Sequence, residues 1–197
     1  MGTDMKTTRR YTMTARAEAV EQTRTRIIEA ALALAETRPV SAITLDAVAA
    51  AAGVSVQTLL RRFESRAGLV EAVRQHAVAI VAEERRTPVG DIDAAIRTVL
   101  DHYELRGDAV LLMLAEEHED AVTREVTDRG REFHRAWVAS AFAPFLPSHD
   151  RAREELLDLL AVATDVYTWK QLRRDRGLDL ATTHERVDTL VRALLAH

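Results

Sequence analysis

The chain has 197 residues, 47% of them hydrophobic and 29% charged, with 7 glycines, 4 prolines and no cysteine. That length supports one or two domains with a real core. The lack of cysteine excludes disulfides and thiol chemistry and fits a cytoplasmic protein, and no apolar run reaches the ~18 residues of a membrane-spanning helix. Scarce glycine and proline with abundant alanine and leucine predict an all-α chain of about nine helices. The N-terminus shows no apolar signal-peptide core, so no membrane partner is expected. The net charge of −4 is unevenly spread: residues 1–66 carry net +3 and the rest net −7, so the field favourable to a polyanion lies on the N-terminal part.

In chain order, residues 1–14 lack periodicity and carry Lys6, Arg9 and Arg10. They read as a mobile tail, either merely solvated or an arm for a nucleic-acid backbone or minor groove. Residues 15–37 form a long predicted helix with Val20, Ile27, Ala31, Leu34 and Ala35 as its apolar stripe, ended by Pro39. Residues 44–73 organise the chain. Thr44 is a plausible N-cap, and Leu45, Val48 and Ala49 are apolar at helical spacing. Gly53 sits where a helix must stop with positive φ. Ser55 caps a second short helix on which Leu59 and Phe63 face inward while Gln57, Leu60 and Arg61 face outward. A helix stopped at glycine, a two-residue turn and a short helix with a polar outer face fit a helix-turn-helix, whose second helix enters the major groove of double-stranded DNA.

The wording is more specific than the architecture. Thr44, Leu45, Asp46, Val48 and Ala49, then Ala52, Gly53, Val54 and Ser55, then Thr58, Leu59, Arg62, Phe63, Ser65, Arg66 and Leu69 resemble the TetR family of bacterial transcriptional regulators, over about the first 80 residues. The resemblance implies an N-terminal three-helix DNA-binding domain, taken as residues 15–86, and a C-terminal ligand-binding and dimerisation domain, residues 87–197. It implies a sequence-specific regulator, a homodimeric repressor released from a palindromic operator by a small-molecule effector of unknown identity. Base reading is expected of Gln57 and Arg61, which suit adenine and guanine, and Val56 suits a thymine methyl. Phosphate anchoring is expected of Thr44, Ser55, Thr58 and Arg66. Three positions depart from the family: Leu60 where Tyr commonly touches a phosphate, Arg66 where Lys is frequent, and Gly68 where Glu often completes a capping box with Ser65.

Beyond this, residues 68–86 form the third helix and its continuation, and residues 87–90 a linker. Asp91 caps a helix to about Arg106 that Gly107 ends, and residues 109–115 form a separate helix, apolar all round and therefore buried. Residues 121–145 read as one helix with Phe133, Trp137 and Ala141 stacked. Residues 150–176 read as another, with Leu156, Leu160, Ala163 and Tyr167 on one stripe. Thr182 and Glu185 form a capping box for the last helix. The spare apolar face of these last two helices predicts a four-helix dimer interface.

Enzyme motifs are absent: no G-x-S-x-G, no Walker A loop, no G-x-G-x-x-G. Only His184 has a carboxylate, Asp188, at helical spacing, so no metal and no cofactor is expected. His102, Tyr103, Met113, Glu117, Phe133, His134, Trp137 and Tyr167 are the unusual side chains of the C-terminal part, either core or the lining of an effector cavity with a few polar tips. The other reading of the chain is a helical small-molecule-binding protein or enzyme with a vestigial DNA-binding part.

Overall fold

A computed structural model describes residues 4–196, with side chains from Glu18 onward. The described residues form nine α-helices, joined by short 3-10 and π turns, and contain no strand. They divide into two compact units. The first comprises residues up to Arg38 together with Ala42–Ala77, and the second comprises Pro39–Ser41 with the residues from Val78 onward. The division falls inside a helix, ahead of the linker expected at residues 87–90.

The first unit is built on α1 (Asp4–Ala35), α2 (Leu45–Ala51), α3 (Val56–Phe63) and the start of α4 (Arg66–Glu84). Residues 4–14, expected as a tail, continue α1; residues 1–3 and the side chains of Lys6, Arg9 and Arg10 lie outside the described residues. Val20, expected on the apolar stripe, is exposed; among the described side chains of α1, burial begins at Ile27, on the stretch that packs on the short helices. The core is wholly apolar: Ile27, Ile28, Ala31, Val48, Ala49, Ala52, Leu59, Phe63, Leu69 and Ala72. Each large member contributes about 1.5–3 kcal/mol on leaving water.

The second unit holds the end of α4, then α5 (Ile92–Glu116), α6 (Ala121–Ala141), α7 (Asp150–Ala163), α8 (Val166–Lys170) and α9 (Leu180–Leu195). Four aspartates start helices here. Asp91, Asp120, Asp165 and Asp179 each accept a backbone N–H from the first turn of α5, α6, α8 and α9. The cap of α9 is therefore Asp179, and Thr182, expected in that role, is the residue whose N–H Asp179 receives at 2.7 Å.

Four further expectations are corrected. Gly107 does not end a helix; α5 runs through it for 25 residues. A Cβ at Gly107 would lie 2.5 Å from the Trp169 ring, so the glycine admits an indole against the helix backbone. Residues 109–115 belong to the same helix, and of them only Leu114 is buried. Residues 150–176 are not one helix. At Thr164 the hydroxyl turns back to the Leu160 carbonyl at 2.8 Å, and Asp165 restarts the chain as a fresh N-cap. That break removes Tyr167 from the stripe of Leu160 and Ala163 and leaves it 55% exposed. α6 stops at Ala141, and a 3-10 turn, Ala143–Phe145, carries Pro144.

Candidate functional site

Two sites are assembled, one in each unit. The first is the turn between α2 and α3. The Val54 N–H bonds the Ala49 carbonyl at 2.9 Å and the Gly53 N–H bonds the Ala50 carbonyl at 3.1 Å, the pair of bonds of a Schellman motif, with Gly53 at φ +64°. Ser55 then accepts the Thr58 N–H at 3.2 Å and starts α3. These bonds fix the direction of α3 relative to α2, and the inward anchors Leu59 and Phe63, 0% and 6% exposed, fix its rotation.

The rotation decides what faces solvent. Ser55, Gln57, Leu60 and Arg61 are exposed, and Val56 and Thr58 are half-buried at the same end of α3. Thr44, the N-cap of α2, and Arg66, the first residue of α4, are exposed as well. Neither Arg61 nor Arg66 is held in an ion pair among the described residues. Thr44 accepts its cap through its oxygen, which leaves its hydroxyl proton free to donate, whereas Ser55 Oγ also lies 3.0 Å from the Thr58 hydroxyl. The helix start at Arg66 is capped after all: Ser65 Oγ accepts the Gly68 N–H at 3.0 Å. The chain reaches it through Glu64 at φ +63°, and a Cβ at Gly68 would stand 2.1 Å from the Phe63 carbonyl oxygen. In this turn geometry the glycine is a steric requirement.

The second site gathers five of the eight residues expected around an effector. His102 and Tyr103 on α5, and Phe133, His134 and Trp137 on α6, surround one side chain the sequence reasoning passed over, Arg85. It follows the last residue of α4 and is 4% exposed. Its guanidinium carbon lies 4.3 Å from the Trp137 ring centroid, 5.7 Å from Tyr103 and 5.9 Å from Phe133. Arg85 Nη2 bonds His134 Nδ1 at 2.8 Å, and Trp137 Nε1 donates to the Arg85 carbonyl at 2.7 Å. His134 Nε2 sits 3.1 Å from the Ala161 carbonyl, so its proton belongs there and Nδ1 accepts from Arg85.

Burial, with the charge of Arg85 next, pushes His134 down to about 4, and it pulls His102 below the usual range too, against the pull of Glu84. Burial raises the Tyr103 phenol to about 12 and pulls the Arg85 guanidinium down. Glu84 is partly buried, which works against its charge, but bonds from Arg106 and His102 hold its carboxyl below the ordinary range. Both imidazoles are thus neutral at pH 7, and Arg85 is the charge at the centre.

The remaining three candidates lie apart from this cage in the contacts they make. Glu117 is buried, but its carboxylate takes Arg131 at 2.6 Å and the Thr127 hydroxyl at 2.7 Å, which hold its pKa down. Met113 is half-buried, and Tyr167 stands on the surface. Among the described residues no group of three or more His, Asp or Glu could hold a metal ion, and no helix is long and apolar enough to cross a membrane. Arg85 could not have been singled out by pattern: beside Arg86 at a helix end it reads as solvated, and only the packing reveals it.

A short helix stopped at a left-handed glycine, a capped second helix with an open polar face and a third helix bracing both define the class of helix-turn-helix DNA-binding proteins. Residues 27–73 match the profile of the family described as Bacterial regulatory proteins, tetR family. That segment, about a quarter of the chain, carries the similarity to the tetR family. It is 36% identical over 99 residues to the HTH-type transcriptional repressor LfrR of Mycolicibacterium smegmatis, which covers 49% of this chain and 51% of LfrR. The chain thus spans about half the length of the curated relative it matches. Its fold is similar to that of a tetR-family transcriptional regulator from Streptomyces coelicolor (TM-score 0.67, 20% identity, 89% of this chain and 80% of that one). It is similar also to that of a transcriptional regulator from Rhodococcus sp. Rha1 (TM-score 0.64, 15% identity, 88% and 96%).

Proposed function

We propose that the chain is a transcriptional repressor that binds a palindromic DNA operator as a homodimer and is released by a small-molecule effector. The observation that carries the reading is the open face of α3: Gln57 and Arg61, exposed on a helix whose opposite face is locked by Leu59 and Phe63. Gln57 and Arg61 read bases, with Val56 placed for a thymine methyl. Thr44, Ser55, Thr58 and Arg66 hold phosphates; the last also adds its charge at a helix start that favours an anion. Leu60 has no donor, so it makes only apolar contact. LfrR is named a repressor, and that name supports the sign of the regulation.

The dimer is supported by exposed apolar side chains on the last helices: Leu159, Val162, Tyr167, Leu180 and Leu190. Leu160, on the stripe expected to supply that interface, is fully buried within its own unit, whereas Val162 is exposed. The effector reading is supported by the buried polar cluster around Arg85. The experiment is selection of duplexes from a random pool by the full chain, followed by a salt titration. A two-fold symmetric sequence should emerge, with affinity falling steeply as salt rises. Recovery of no preferred sequence sinks the reading.

A further inference from the structure

The structure leaves one cation in an unusual state. Arg85 is buried, yet among the described residues no carboxylate pairs with it. Glu84 beside it is engaged by His102 and Arg106, and Asp165, the other acid whose field reaches it, accepts the Tyr167 N–H. The guanidinium bonds the neutral His134 through Nη2 and interacts with the neutral Tyr103 hydroxyl, while its Nε–H is buried with no acceptor. A buried donor without a partner, on a charge without a counter-ion, is costly and calls for an explanation. The three rings stabilise the cation through their faces but supply no acceptor for that N–H.

We propose that Arg85 anchors the effector, and that the effector is an organic carboxylate with an aromatic or apolar body. This rests on the reading of the chain as an effector-released regulator. A carboxylate supplies both missing things, a negative charge and acceptors matched to the guanidinium fork. Phe133, the half-buried ring of the cage, marks the side from which it enters, and the rings of Phe133 and Tyr103 take its apolar body. A cationic ligand is disfavoured because the cage already holds a cation that it must expel. A neutral one leaves Nε–H and the charge unanswered. Arg85 follows directly on Glu84, the last residue of α4, and Glu84 holds α5 through His102 and Arg106 while Arg85 holds α6 through His134 and Trp137. A carboxylate that draws the guanidinium away from His134 therefore alters how the end of α4 is held, and α4 is the helix that continues into the operator-binding unit.

The test is calorimetric titration of the full chain at pH 7.5 with three probes of one skeleton: phenylacetate, 2-phenylethanol and phenethylamine. Phenylacetate should bind at least about tenfold more tightly than either, the scale of a hydrogen bond to a charged group. Arg85→Met should erase that preference, and Arg85→Lys, which keeps the charge without the fork, should weaken phenylacetate by a smaller factor, with thermal unfolding confirming that each variant is folded. Equal or tighter binding of the amine, or no binding of phenylacetate to the wild-type chain, overturns the proposal whatever the variants do. Operator binding is measured alongside without probe. Its presence with no phenylacetate binding removes the carboxylate site alone; its absence removes the repressor reading alone.

Discussion

The two units solve the same packing problem with opposite chemistry. The first has only apolar residues in its buried core among the described residues and exposes Ser55, Gln57 and Arg61 around its turn. The second buries Arg85, His102, Glu117, Thr123, Thr127, His134, Thr164 and Thr183 alongside its apolar core. On the proposed reading, the face that meets DNA stays wet until contact, and its polar groups are held from behind by an apolar core. On the same proposed reading, the unit that answers a ligand holds polar groups where water does not satisfy them, and each such group carries a desolvation cost that a partner can relieve.

Acid should break the second unit by the largest margin. His134 has a folded-state pKa near 4 against an ordinary value of 6.5, so folding favours the neutral ring. That contribution is full above pH 6.5, is lost as pH falls from there to about 4, and amounts to about 3 kcal/mol. His102 shifts in the same direction and adds to it. Chemical denaturation followed through Trp137 and Trp169 fluorescence between pH 7.5 and 4 measures it; a flat profile across that window contradicts the buried neutral pair. Gly107→Ala comes next. The added methyl meets the Trp169 ring, and overpacking of this kind costs roughly 1–3 kcal/mol; denaturant unfolding reads it directly.

In the first unit Gln57→Ala should lower affinity for the selected operator about ten- to a hundredfold while leaving the unfolding midpoint unchanged, because the side chain supports nothing behind it. Anisotropy titrations on matched and substituted duplexes check both affinity and the altered base preference. The smallest effect is expected of Gly53→Ala, about 1 kcal/mol of stability, since φ +64° disfavours a side chain but nothing lies within 4 Å of the new methyl.

The contrast also explains what the sequence disclosed. The helix-turn-helix is local: caps at Thr44 and Ser55, the stop at Gly53 and the inward pair Leu59 and Phe63 all act within a few residues, and all four stand where the pattern puts them. In the second unit the deciding partners are distant. Gly107 looks like a helix end, but its reason is Trp169, 62 positions away. The burial of Arg85 depends on α6 and on the cage, and it leaves no periodic mark. The aromatic and histidine candidates were legible as a set. The cation that organises five of them was not, and Glu117 proved to belong to a separate pair with Arg131.

The most direct measurement is the affinity of the full chain for its selected operator, against that of Arg61→Ala, on the matched duplex and on one with the contacted guanine replaced. The account predicts a tenfold or greater loss, about 1–3 kcal/mol, for the variant on the matched duplex, and near-equal affinity of variant and wild type on the altered one. Equal affinity of the two proteins on the matched duplex contradicts it.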